Sequence, residues 1–416
     1  MLLGSGGREH ALAWKMAQSS LVEKIYVAPG SDGISLVKKV ECLDGDIVKL
    51  AQRLKPDLVV LGPEKPAAEG VTDALEEMGF SVLGPSQAAA QLETSKIFSK
   101  TFMLEEGIPT AHAVFCDNYD AASERLKKWP VEKEGVVIKA DGLAAGKGVV
   151  VTYDRHEAEQ ALHAFMQDPV CTVKADRVLL EEVMKGREIS AFALCDGENF
   201  VPLGYACDYK RVNDGHRGAN TGGMGGYMPK DWPSETVRNF IDTNIFAKTL
   251  AGMKKRAMPF KGILFAGLMV DGIDAKVIEF NVRFGDPEAQ ILLPLYDGDI
   301  VPLFLAAAQG ELKGKIAPAI ADQVAVHVVM VSEGYPDIDG KGMRLGEKID
   351  IEADNDNACL FFAGVSKRND VWINSGGRVL GVTALGDDVE QARQRAYAQI
   401  EKIKFSGAHW RTDIGR

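Results

Sequence analysis

Two side chains near position 280 have the chemistry to hold a divalent cation. In GILFAGLMVDGIDAKVIEFNVRFGDPEAQ (residues 262–290), the alternating apolar runs Ile263–Val270 and Ala275–Asn281 flank Asp271-Gly272, a dipeptide suited to a tight hairpin. Residues two apart in a strand share a face, so Glu279 and Asn281 are predicted to project together, with Ile278 and Phe280 pointing the other way. A carboxylate beside an amide oxygen is a hard donor pair. It suits Mg²⁺ (or Mn²⁺), which keeps some waters and completes its shell from substrate phosphates. Arg283 and Asp286 follow in a Gly-Pro turn and add a fixed cation and a further carboxylate. The plain alternative is a hairpin with a solvated polar edge.

Groups that would hold a phosphate chain occur upstream. TSKIFSKTFMLEEGIPTA is predicted as a helix ending near Gly107, with Lys96 and Lys100 one turn apart on one face. In GVVIKADGLAAGKGVVVTY, the β-rich runs Val136–Lys139 and Val149–Tyr153 enclose DGLAAGKG. Small residues there let backbone N–H groups approach phosphate oxygens, and Lys147 can add charge from the loop. Lys139 lies inside the first run, where a partly buried ammonium needs an anion unless it snorkels at the sheet edge. No G-x-x-x-x-G-K-[ST] leads into a helix, so this is not a P-loop. In RVLLEEVMKGREIS, backbone groups of Glu182, Val183 and Met184 with one carboxylate could read an adenine ring, and Glu188 could reach a ribose diol. Taken alone, such acids are more often strand-edge charges. The stretch DYKRVNDGHRGANTGGMGGYMP holds six glycines between Asp208 and Tyr227, which predicts neither regular strand nor helix. Lys210, Arg211, Arg217 and Asn220 suit it to a lid over phosphates.

The elements that must position these groups are those of an α/β protein. In residues 1–94, short apolar strands alternate with helices, which predicts an open parallel sheet with ligands at the strands' carboxyl ends. Gly4-x-Gly6 invites a dinucleotide reading, but the third glycine position is Glu9, and the second strand ends in Ala28-Pro29-Gly30 without an acid. A helix start after Gly6-Gly7 can still hold one phosphate. Arg8 and Glu64 fall near two strand ends, and Gly6, Gly7, Arg8, Glu9 and Glu64 are the candidates for a phosphosugar. The alternative is a tight turn with a solvated Arg8. From about Ile316, the strands AVHVVMV, CLFFAGV and GRVLGVTAL lead into the amphipathic helix DVEQARQRAYAQIEKI, and Asn374-Ser375-Gly376-Gly377 is a turn.

Composition narrows the function. The 416 residues give room for two or three domains, and 46% hydrophobic with 26% charged residues is the balance of a soluble globular protein. A formal charge of −11 argues against nucleic-acid binding through the surface at large. Six scattered cysteines without C-x-x-C fit reduced thiols in a cytoplasmic compartment, and no apolar run reaches the length of a membrane span.

The ordered set SKIFSK, VVIKADGLAAGKGVVV, LLEEVMKGREIS, DYKRVNDGHRGANTGGMGGY and EFNVRFGDPEAQ resembles the ATP-grasp ligases, and within them the glycinamide ribonucleotide synthetase family. The resemblance runs from GSGGREHALAWK through GPEKP to NSGGRVLGVTALG and RTDIGR. It implies a parallel α/β domain (1–94), an ATP-grasp domain (95–316, with a lid subdomain at about 115–184) and a small α/β domain (317–416). It also implies that ATP, glycine and phosphoribosylamine give glycinamide ribonucleotide by way of glycyl phosphate. Carried over by motif position, Lys96, Lys139 and Lys147 would contact ATP phosphates, and Glu181, Glu182, Val183 and Met184 would hold adenine. Glu188 would take the ribose, while Lys210 and Asn220 would lie on the nucleotide. Glu279 and Asn281 would bind Mg²⁺ or Mn²⁺, and Arg283 and Asp286 would orient glycine and its acyl phosphate. The resemblance implies a monomer, or at most a weak dimer, acting on small molecules.

Overall fold

The computed structural model describes residues 1–144, 148–168, 171, 173–337, 340–352 and 358–416. The start of the chain holds five short strands, β1 (Leu2–Gly4), β2 (Ile25–Pro29), β3 (Val40–Cys42), β4 (Val59–Leu61) and β5 (Val82–Leu83), all of them largely buried apolar runs except the partly exposed β3. They form a parallel sheet in the order β3-β2-β1-β4-β5. The order reverses at β1, so the carboxyl ends of β1 and β4 open a crevice between them. Gly6 begins at one lip of that crevice and Glu64 at the other. The edge strand β3 is only three residues long and went unpredicted.

A second, antiparallel sheet is built from β6 (Ala113–Cys116), β7 (Val136–Ala140), β8 (Val149–Thr152) and β9 (Val178–Glu181), in the order β6-β9-β7-β8. The helices Tyr119–Lys128 and Arg155–Met166 pack on it through Ala122, Leu126, Ala158 and Leu162. The preceding helix, Lys96–Glu105, lies in the stretch expected to be helical and starts where the Ser95 hydroxyl accepts the Phe98 N–H.

The largest sheet has eight strands. Its members include β10 (Arg187–Asp196) and β11 (Phe200–Asp208); a separate two-stranded hairpin, β12 (Arg211–Asn213) and β13 (Arg217–Asn220), follows β11. Then come β14 (Gly225–Tyr227), β15 (Lys261–Asp271), β16 (Asp274–Asn281) and β17 (Val324–Val331). Residues 350–386 supply β18 (Asp350–Ile351), β19 (Ala358–Phe362), the hairpin β20 (Val365–Arg368) with β21 (Val371–Asn374), and β22 (Arg378–Gly386). The order is β16-β15-β10-β11-β14-β17-β22-β19. The C-terminal strands β17, β22 and β19 therefore extend the central sheet, while β20 pairs with β21, and β18 with Ile403–Lys404, in two-stranded units.

The glycine-rich stretch after Asp208 departs from the sequence expectation. It is ordered into β12, β13 and β14, and β14 is the link that joins the two halves of the large sheet. Glycine is what permits this. Gly225 has φ +136°, and a Cβ there would lie 2.3 Å from the His327 carbonyl oxygen. Strand composition rules disfavour glycine on average, but a backbone that must touch its neighbour has no room for a side chain.

The hairpin expected around Asp271-Gly272 forms, with one addition. Gly267 pairs with Glu279 and Leu268 with Val277, so Ile278 is a β-bulge. The bulge shifts the alternation by one residue: Ala275, Val277, Phe280 and Val282 all enter one core cluster. Without it, Glu279 would follow Ala275 and Val277 into that core.

The helical stretch before β15 contains a π-turn at Asp242–Phe246. Asp242 Oδ1 is buried there without a hydrogen-bond partner, and burial pushes the carboxyl up to about 6. Among the described residues, no helix is long and apolar enough to cross a membrane.

Two stability outcomes follow. Gly225→Ala is expected to destabilise the fold by roughly 3 kcal/mol, whereas Gly272→Ala, also left-handed but in open space, costs about 1 kcal/mol. Urea denaturation of the two variants side by side checks the difference. For Asp242, the folded state binds the proton more tightly than an unfolded chain of ordinary value 3.8. Stability is thus gained as pH falls from about 6 towards 3.8 and is lost above that window. Asp242→Asn should be the more stable protein at about pH 8 and lose that advantage near pH 4, read from melting curves across the range.

Candidate functional site

Charge gathers where the three sheets meet. Glu279 emerges from β16 just past the bulge and faces Lys210, Lys139, Lys96 and Arg283. Burial raises its carboxyl, but those four cations outweigh it and hold the group below the ordinary glutamate range. Lys96 shows the converse: burial lowers its ammonium, and Glu279 acts against that.

Lys139 is 4% exposed and is held in place from two sides. Its Nζ lies 2.9 Å from Glu181 Oε2 and donates to the carbonyl of Ile278, the bulge residue, at 2.8 Å. Lys100 approaches the other Glu181 oxygen at 3.1 Å and donates to Thr110 Oγ1 at 2.6 Å. The Glu181 carboxylate is thereby committed to two buried lysines, so its side chain is not placed to hold adenine. Glu182 accepts the His112 N–H at 3.0 Å, and Val183 and Met184 are half-buried in the loop between β9 and β10. Lys147 lies outside the described residues.

On the far side of Glu279, Lys210 pairs with Glu188 near Asp208 and Glu288. Burial pushes Asp208 up to about 7, and it raises Glu288, which accepts the Ser190 hydroxyl at 2.9 Å. The N–H and hydroxyl of Thr221 both reach the Lys210 carbonyl at 2.8 Å, which brings Asn220 back beside Lys210 at the stem of the β12–β13 hairpin.

Arg283 is spent on protein partners: Glu64 at 3.2 Å, Glu93 at 2.7 Å and the Asn281 amide oxygen at 3.0 Å. Glu93 also accepts the Val282 N–H at 2.7 Å, and burial raises its carboxyl. The Asn281 amide nitrogen is buried and without a partner. Its oxygen accepts from Arg283 and keeps a second lone pair, whereas a half-turn of the amide would set its NH₂ against that guanidinium. Among the described residues, no group of three His, Cys, Asp or Glu could cage a metal ion. A carboxylate with one amide oxygen fits a cation that draws most of its shell from water and phosphate.

The N-terminal turn abuts this cluster. Gly6 N–H donates to Glu9 Oε2 at 2.7 Å and Arg8 Nε to Glu9 Oε1 at 2.6 Å, so Glu9 is a structural part of the turn. Arg8 is buried, not solvated, and donates to the Phe284 carbonyl at 3.0 Å. A Cβ at Gly6 would lie 3.5 Å from Asp286 Oδ2, so the turn and Asp286 face each other. Asp286 accepts Gln290 Nε2 at 2.7 Å and pairs with Arg378 at 3.2 Å. Arg378 also donates to the carbonyls of Asp286 and Gly222, both at 2.6 Å. Burial opposes ionisation of Asp286, but Arg378 and then Arg8 hold its carboxyl low. Sequence reasoning missed Glu93, Asp208, Glu288 and Arg378 as members of the site. All four adjoin or lie inside motifs named above, yet nothing in spacing announces that residues 92 apart, Asp286 and Arg378, will meet.

Comparison with known proteins agrees along the whole chain. Residues 1–93 match the phosphoribosylglycinamide synthetase N domain, residues 94–289 its ATP-grasp (A) domain, and residues 325–416 its C domain. The phosphoribosylamine–glycine ligase of Caulobacter vibrioides is 44% identical over all of this chain and 97% of its own length. The ligase of the same name from Chlorobaculum tepidum is 40% identical, over all of this chain and 98% of its own. The crystal structure of phosphoribosylamine–glycine ligase from Thermotoga maritima superposes with a TM-score of 0.86 at 34% identity, covering 99% of both chains. A biotin carboxylase from Campylobacter jejuni shares the fold alone, with a TM-score of 0.72 at 16% identity over 98% of this chain and 92% of its own. By sequence over its full length and by fold, the chain belongs to the phosphoribosylglycinamide synthetase family of ATP-grasp ligases.

Proposed function

We infer that the chain joins phosphoribosylamine and glycine into glycinamide ribonucleotide, with ATP converted to ADP and phosphate, as a step of purine biosynthesis. The observation that carries the reading at the site is Glu279, ringed by Lys96, Lys139, Lys210 and Arg283. Phosphoryl transfer needs positioning and charge neutralisation more than covalent help, and this ring supplies both. In the first step the glycine carboxylate, ionised at neutral pH, attacks the γ-phosphorus and ADP leaves. In the second, the amine of phosphoribosylamine attacks the carbonyl of glycyl phosphate and phosphate leaves.

Within this reading, Lys96, Lys139 and Lys210 bind the phosphate chain, with Lys147 contributing from the glycine-rich loop. Glu182, Val183 and Met184 border the adenine, Glu188 the ribose, and Asn220 the nucleotide from the hairpin. Glu279 and Asn281 would hold Mg²⁺, or Mn²⁺ in its place. When bound, such a cation offsets charge on the terminal phosphates. Arg283 and Asp286 border the place where glycine and its acyl phosphate meet the amine. Gly6, Gly7, Arg8 and Glu64 form the phosphosugar side. Residues 1–94 thus serve the phosphosugar, 95–316 the nucleotide, and 317–416 close the site through Arg378. A cytoplasmic monomer is the expected working form, and the six unpaired cysteines support that compartment.

Lys139→Ala and Glu279→Ala should each lower turnover by roughly 10²–10³-fold, the scale of losing one preorganised electrostatic contact. Steady-state kinetics that leave either variant within a few-fold of the parent would remove that residue from the mechanism. ADP release should require glycine, reach full rate only with phosphoribosylamine present, and stay at background with bicarbonate in place of glycine. Bicarbonate-dependent release would move the chain to a different ATP-grasp chemistry.

A further inference from the structure

The motif RTDIGR, remote in sequence from the catalytic groups, is packed against the β12–β13 hairpin. Arg411 is fully buried beneath it. Its guanidinium forks onto Asp413 at 2.7 and 2.6 Å, donates to the Arg211 carbonyl at 3.0 Å, and lies 4.7 Å from the centre of the Tyr209 ring. Asp413 in turn accepts the Gly215 N–H at 2.8 Å. The Thr412 N–H donates to Asp214 Oδ1 at 2.9 Å, its hydroxyl bonds the other oxygen of that carboxylate, and His409 Nε2 meets the Val212 carbonyl at 3.0 Å. Tyr209 Oη accepts the Gly415 N–H and donates to the Arg416 carbonyl, both at 3.1 Å. The segment is itself fixed to the helix Val389–Ile400, where Tyr397 Oη donates to the Arg411 carbonyl at 2.7 Å.

The hairpin needs such an anchor. It is a two-stranded unit outside the large sheet, and its tip residues His216, Arg217 and Gly218 are exposed. An isolated two-stranded hairpin is marginal in water. Backbone or side-chain groups of Arg211, Val212, Asp214 and Gly215 all bond to residues 409–413. Lys210 and Asn220 stand at its two feet, joined through Thr221.

We propose that residues 409–416 are a latch that fixes the hairpin over the nucleotide, with Arg411 as its positioning residue. The latch makes nucleotide binding depend on the C-terminal unit, although no latch side chain touches the reacting atoms. It rests on the reading of Lys210 and Asn220 as nucleotide contacts, and the test separates the two.

Thr412→Val and Asp214→Ala remove exposed latch bonds without opening the core, while Arg411→Met removes the buried fork and Arg411→Lys restores charge without it. Each loosening variant that folds should show trypsin cleavage after Arg217 faster by about fivefold or more, and a KM for ATP raised by roughly three- to tenfold. The KM for glycine should stay within about twofold, and Arg411→Lys should recover little, because an ammonium cannot make the fork. Unchanged cleavage in Thr412→Val and Asp214→Ala overturns the latch. So does faster cleavage with an unchanged KM for ATP. Lys210→Ala decides which claim fails: if it raises the KM for ATP while the latch variants do not, only the latch falls. If Lys210→Ala also leaves that KM unchanged, the nucleotide role of the hairpin falls and the latch proposal with it.

Discussion

The buried arrangement Lys100–Glu181–Lys139 is the constraint on which the site depends. A carboxylate placed between two ammonium groups, each nearly sealed from water, is expensive to desolvate and holds only while all three are present. Removing Glu181 would leave two unpaired buried cations, a loss on the order of 3–5 kcal/mol. The return on that cost is position. Lys139 cannot swing away, because Glu181 holds it from β9 and the bulge carbonyl of Ile278 holds it from β16. It therefore presents a fixed positive charge to Glu279, and the sheet formed by β6–β9 is tied to the central sheet through one ammonium group.

The bulge at Ile278 is what allows the second half of this arrangement. A strand that kept strict alternation would point Glu279 into the same apolar cluster as Ala275 and Val277, where no cation waits. One inserted residue turns Phe280 and Val282 to the core and leaves Glu279 and Asn281 on the charged side. The same residue then uses its freed carbonyl to hold Lys139. Local irregularity and electrostatics are thus one device.

Much of this was legible in the sequence, and the exceptions share a cause. Period-two alternation with Asp271-Gly272 located the β15–β16 hairpin, and the alternating strand and helix pattern located the parallel sheet. What stayed hidden depends on contacts between distant segments. The glycines between Asp208 and Tyr227 argue for irregular chain by composition, yet Gly225 is there because the His327 carbonyl passes 2.3 Å from where its Cβ would be. Arg8 read either as a phosphosugar contact or as a solvated turn residue, and only the fold brings the Phe284 carbonyl to it. Glu181 read as a strand-end acid with a ligand to hold, while the fold uses it to hold two lysines.

The charge balance of the cleft bears on how a nucleotide enters it. Four cations, Lys96, Lys139, Lys210 and Arg283, share the space with Glu279, Glu188, Glu288 and Asp208, and Arg283 is further engaged by Glu64 and Glu93. Burial first, with Glu288 and Glu188 adding to it, pushes Asp208 up to about 7, so negative charge beside that group is already disfavoured. A bare triphosphate would add several more. On the ligase reading, the acids beside the lysines therefore select a nucleotide that arrives with its charge partly offset, and the lysines supply the remainder where the terminal phosphate must sit. On the same reading, that balance bears on the proposed cation site. A second carboxylate next to Glu279 would then bind a divalent ion more tightly but would repel the phosphates, whereas the amide of Asn281 would contribute an oxygen at no cost in charge.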